Sequence, residues 1–145
     1  MREILFRGKR VDNGEWVCGD LFNNYNDKKF IGELIINDYK GTACDRYEIG
    51  TSIVECIPST VGQYTGLTDK NGKKIFEGDI VKGLFVFGEI SSVVIFKYGS
   101  FGIEWNIDEI KVLDPFLGLR NIECEVIGNI HDNPELLKVG DENDT

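Results

Sequence analysis

Residues able to do chemistry cluster in the stretch QYTGLTDKNGKKIFEGDIV, residues 63–81, where Asp69, Glu77 and Asp79 alternate with Gly66, Gly72 and Gly78. Acids interleaved with glycine are the material of a calcium loop, and glycines followed by lysine that of a phosphate loop. Neither spacing is met. A calcium loop starting at Asp69 needs Gly sixth and Glu twelfth, but Gly72 is fourth and Glu77 ninth. A phosphate loop needs four residues between its glycines and a Ser or Thr after Lys. Here five residues separate Gly66 from Gly72, and Lys73 is followed by Lys74. Turn chemistry does fit. Asn71-Gly72 reverses the chain, Gly78 permits a bend or bulge, and Asp79 is placed to accept backbone N–H groups there.

The other reactive side chains are dispersed. His131 neighbours Asp132, the arrangement of a general base with its orienting carboxylate. Cys124 lies seven residues upstream, about 23 Å away if the segment is extended. A dyad or a zinc site would need Cys18, Cys44 or Cys56 delivered by the fold, and no cysteine pair has the two-residue gap of a zinc knuckle. Glu104, Asp108, Glu109, Asp114, Glu123 and Glu125 are abundant without a defined mutual spacing and read as a solvated surface. We therefore expect no catalytic, metal or cofactor residues, and a chain that is not an enzyme. Lys70, Lys73 and Lys74 sit on a hairpin tip near Tyr64 and Phe76. A basic tip with aromatic neighbours is the one candidate partner surface, and it is the kind that touches nucleic acid.

Composition limits the classes. The 145 residues carry a net charge of −9, divided as −2 over residues 1–60 and −7 over residues 61–145. Acidity opposes sequence-independent binding along a phosphate backbone and suits a protein partner. Four separated cysteines and a charged start, MREILFRGKR, read as a reduced, cytoplasmic protein, and no apolar run is long enough to span a membrane. Seventeen glycines against three prolines indicate many tight turns and a β-rich fold.

The elements that must position these residues are mostly strands. The pattern predicts strands over 3–7, 16–22, 30–36, 53–57, 61–66, 92–98, 101–105 and 122–130. It also predicts a long or bent strand within 73–89. Asn13-Gly14 supplies a type I′ hairpin turn. Residues 37–52 read as loop, 106–116 as ambiguous with room for a short helix before Pro115, and NPELLK (133–138) as a helix start with Asn133 as its N-cap and Pro134 first. DNGEWVCGDL (12–21) echoes DKNGKKIFEGDI (69–80), through convergent turn chemistry or two similar lobes. The division expected is an N-terminal β lobe over 1–58, a barrel-like lobe over 59–137 and a frayed acidic tail over 138–145, within one compact unit.

REILFRG at the start, VGQYTGLTDKNGKKIFEGDIV in the middle and EVIGNIHDNPELL near the end together resemble the YopX family of phage and prophage proteins. The resemblance implies an all-β architecture with a partly open barrel. It carries no catalytic or ligand residues onto this chain. Its signature positions, Gln63–Gly66, Asp69, Asn71, Gly72, Gly78, Asp79 and Gly128–Asn133, read as turn and strand-end residues. The functional expectation is a phage-encoded, non-enzymatic accessory protein that binds a host or phage protein. The alternative is a nucleic-acid module using the 70–74 hairpin. Bare strand edges also favour a homo-oligomer.

Overall fold

A computed structural model describes residues 2–23, 26–39, 46–85, 88–107, 110–114 and 123–137. The expected tail over 138–145 and Cys44 lie outside these residues. The chain divides into two compact units, one formed by residues 4–62 and the other by residues 63–145 with residues 1–3.

The first unit is an antiparallel sheet of β1 (Phe6–Lys9), β2 (Trp16–Asn23), β3 (Lys29–Tyr39) and β4 (Arg46–Cys56), in the order β4-β3-β2-β1. The end of β4 returns to the end of β1 through a bridge between Arg10 and Cys56. Ile31 and Cys56 are fully buried among its described side chains. At Gly32 β3 runs so close to β4 that a Cβ would lie 1.9 Å from the Ser52 carbonyl oxygen, so only glycine fits there. A 3-10 turn, Pro58–Thr60, follows, and its Thr60 hydroxyl accepts the Lys9 N–H at 2.9 Å.

The second unit begins with β5 (Gly62–Thr68) and β6 (Lys74–Phe76), which pair with each other. Its main sheet is antiparallel, with β7 (Asp79–Phe85) between β8 (Gly88–Lys97) and β11 (Cys124–Asn129), then β9 (Ser100–Ile107) and β10 (Ile110–Asp114) on the far side of β8. The core holds Ile75, Val81, Val94, Ile103, Cys124 and Val126, with Leu67 and Ile90 against it. On β7 the consecutive residues Ile80 and Val81 are both fully buried, the mark of a strand covered on both faces. The last described element is a 3-10 turn, Pro134–Leu137, shorter than the helix its sequence suggested.

The chain is all-β as expected, with eleven strands among the described residues. The sheets are not closed into a barrel. One local reading is corrected and one ambiguity is resolved. Residues 37–39 and 46–52 are strand, not loop, because β3 and β4 pair there. Residues 110–114, ambiguous in the sequence, are strand β10 through pairing with β9.

The two Asn-Gly turns also differ. At the first, Arg10 and Glu15 close a four-residue loop, the Gly14 N–H returns to the Arg10 carbonyl, and only Gly14 has positive φ, so the turn is not type I′. At the second, Asp69 and Lys73 close a three-residue loop, with Gly72 in the left-handed region. Asp20 is exposed where Asp79 is buried. The echo between these stretches is thus shared turn chemistry built into different turns.

Candidate functional site

The 63–81 stretch folds as a hairpin and a corner. Gly66 is a bulge where the β5–β6 register shifts between Tyr64 and Thr68, and the Thr65 hydroxyl bridges the gap by donating to the Ile75 carbonyl at 2.8 Å. At the hairpin tip Asp69 is only 5% exposed. Its Oδ1 accepts the Asn71 and Lys73 N–H groups, and its Oδ2 accepts that of Val126, each at 2.9 Å. The Lys70 N–H donates to the Cys124 carbonyl at 3.0 Å. Asp69 thus closes its own turn and ties it to β11. Burial pushes this carboxyl up, but the three backbone donors and the Lys73 charge outweigh it and hold it below the usual carboxylate range.

Asp79 serves the corner between β6 and β7. It is 1% exposed, and its Oδ2 accepts the Phe76 N–H at 2.7 Å. Gly78 turns the corner at φ 91°. Its N–H donates to the Val94 carbonyl at 2.8 Å, and its carbonyl accepts the Ile130 N–H at 2.9 Å. Both carboxylates therefore act on the chain's own backbone, as Asp79 was expected to do.

His131 lies beside this corner. A Cβ on Gly78 would be 3.6 Å from its Nε2, and its own N–H donates to the Asn129 side chain at 3.0 Å. Burial, followed by the Asp69 charge, pushes the Cys124 thiol up to about 11, so it stays protonated and weakly nucleophilic at neutral pH. Among the described residues, no group of three His, Cys, Asp or Glu is placed to hold a metal ion. No described helix is long and apolar enough to cross a membrane.

The five residues of the sequence-derived partner surface separate. Tyr64 is 8% and Phe76 6% exposed, and their rings pack at 5.6 Å between centroids. Placing these two rings on the surface is therefore corrected: β5 and β6 turn them inward. Lys74 lies 5.3 Å over the Tyr64 ring and pairs with Glu3. Lys70 faces Glu125 at 3.7 Å, and Lys73 is exposed. What remains outward is a lysine tip whose charges are largely answered by carboxylates.

A different tip presents aromatic surface. β8 and β9 are joined at Tyr98-Gly99, with φ 55° and 77°, a two-residue turn of the type I′ class. Tyr98 is 84% exposed and Phe96 52%. Phe96 packs edge-on against Phe101 at 4.9 Å, and the Lys97 ammonium lies 5.3 Å from the Tyr98 ring. A tyrosine in the left-handed region costs about 1–2 kcal/mol relative to glycine. The sequence placed strands on either side, over 92–98 and 101–105, but did not show the exposure of these aromatics. Only Tyr98-Gly99, where Asn-Gly is usual, signals it.

These features define a small, mainly β protein whose buried acids Asp69 and Asp79 brace the fold and whose candidate contact groups lie on hairpin tips. The chain belongs to the YopX family: the model described as YopX protein matches residues 5–138. Among solved structures it is similar to protein EF1440 from Enterococcus faecalis, at 28% sequence identity and a TM-score of 0.62, covering 94% of this chain and 99% of that one. No curated protein matches the chain.

Proposed function

We propose that this chain is a non-enzymatic accessory protein, encoded by a phage or prophage, that acts in the bacterial cytoplasm by binding a host or phage protein. The observation carrying this reading is the β8–β9 tip, where Tyr98 holds a left-handed backbone while its ring stands 84% exposed. Apart from the Lys97 ammonium over its ring, so exposed an aromatic gains little packing in return for backbone strain, and retained strain of this kind points to use of the side chain. Tyrosine and phenylalanine on a rigid hairpin are efficient anchors for an apolar pocket. The net charge of −9 favours a partner pocket with a basic rim.

The nucleic-acid alternative draws on the exposed Lys73. It loses its stacking platform because Tyr64 and Phe76 are buried, and Lys70 and Lys74 face Glu125 and Glu3. Affinity capture of the tagged protein from host cells, with and without nuclease, separates the two. We expect a partner that survives nuclease and is lost with Phe96→Ser and Tyr98→Ser together. Capture that collapses with nuclease, or with Lys73→Glu, would move the function to the lysine tip.

A further inference from the structure

Asn-Gly occurs at Asn13-Gly14 and again at Asn71-Gly72, and both asparagines are exposed to water. In such a pair the glycine nitrogen can attack the preceding side-chain amide, because no Cβ obstructs its approach. The two sites differ in what holds that amide. Asn13 is pinned at both ends: Oδ1 accepts the Glu15 N–H at 2.9 Å, and Nδ2 donates to Glu15 Oε2 at 3.4 Å. Among the described residues the Asn71 amide makes one bond, from Nδ2 to Glu125 Oε1 at 3.5 Å, the outer limit of a hydrogen bond. The glycine nitrogens do not distinguish the sites. The Gly14 N–H donates to the Arg10 carbonyl and the Gly72 N–H to the Asp69 carbonyl, each at 3.0 Å.

Charge adds a second difference. The attacking species is the glycine amide without its proton, an anion that nearby cations favour and nearby anions oppose. Asp12 and Glu15 flank the first site, although Arg10 pairs with Asp12 at 2.7 Å. Lys70 and Lys73 flank the second. The anion within that turn is Asp69, whose carboxylate is taken up by the N–H groups of Asn71, Lys73 and Val126.

We propose that Asn71-Gly72 is a site of spontaneous covalent modification, and that conversion there releases the 69–73 turn from β11. The Gly72 nitrogen gives up its proton and bonds to Asn71 Cγ. The Cγ–Nδ2 bond breaks, and ammonia leaves with the proton, closing a succinimide ring. Water then opens the ring. Addition at the side-chain carbon yields aspartate, and addition at the main-chain carbonyl yields isoaspartate, whose extra methylene lies in the backbone. Asp69 and Lys73 close a loop of only three residues, so the added methylene pulls the Asn71 and Lys73 N–H groups away from Asp69 Oδ1. Either product also places a new carboxylate between Asp69 and Glu125, where the amide had donated. The bonds at risk are those that tie the turn to β11: Asp69 Oδ2 to the Val126 N–H, and the Lys70 N–H to the Cys124 carbonyl.

The test is to age the full chain at physiological temperature and mildly alkaline pH, then map both sites by peptide mass spectrometry. Asn71 should convert at least ~5-fold faster than Asn13, the difference set by the Glu15 bonds that Asn13 must give up. Amide hydrogen exchange should show Val126 losing protection in step with conversion. Asn71→Gln keeps the turn's backbone bonds and does not readily close the ring, so its Val126 protection should survive ageing. Equal rates at the two sites, or no conversion at Asn71, would overturn the proposal. So would conversion that leaves Val126 protected, or equal loss of protection in aged Asn71→Gln.

Discussion

The Asp69 carboxylate joins Asn71 and Lys73 in its own turn to Val126, 57 residues along the chain. Removing it leaves buried N–H groups without their acceptor, and Asp69→Ala should cost about 2–4 kcal/mol at pH 7. The pH dependence has a definite sign. A carboxyl held low in the folded state stabilises above its unfolded value of about 4, and that contribution fades as pH falls through the folded value. Urea unfolding at a series of pH values should show the gap between wild type and Asp69→Ala narrowing as pH drops from about 5 to about 2. A gap constant over that range would show that the carboxylate's charge plays no part. The turn that Asp69 opens was readable in DKNG. The bond to Val126 was not, because no local pattern announces a partner on a distant strand.

At the corner between β6 and β7 the cost of substitution is set by backbone conformation. Gly78 has φ 91°, but the space around a Cβ there is ordinary, with His131 Nε2 at 3.6 Å. Gly78→Ala should therefore destabilise by about 1–2 kcal/mol. The loss should be the same in a His131→Ala background. Recovery in that background, measured by denaturant midpoint, would make the histidine rather than φ the cause. Glycine followed by Asp79 made this corner legible as a bend. Apolar-rich runs bounded by turn residues, such as Trp16–Asn23 and Cys124–Asn129, were legible as strands as well. Arg46–Ser52 was not, since Glu48, Gly50 and Thr51 read as turn residues and only the pairing with β3 makes them strand.

For the whole molecule, charge and composition gave the class, and three separated motifs gave the family. Which aromatic residues face solvent was the illegible part. Tyr64 and Phe76 bracket the lysines at 70, 73 and 74 in the sequence yet are buried, while Tyr98 and Phe96 flank Lys97 and are exposed. Exposure depends on which face of a strand each residue takes, and a bulge such as that at Gly66 changes it. The central claim is that the β8–β9 tip, and not the lysine hairpin, meets the partner. The most direct test puts a photoreactive aromatic at position 98 in one sample and at position 73 in another. Both are then irradiated in nuclease-treated host extract. The account predicts one discrete protein adduct from position 98 and none from position 73. An adduct from position 73 alone, or adducts that form only with nucleic acid present, would contradict it.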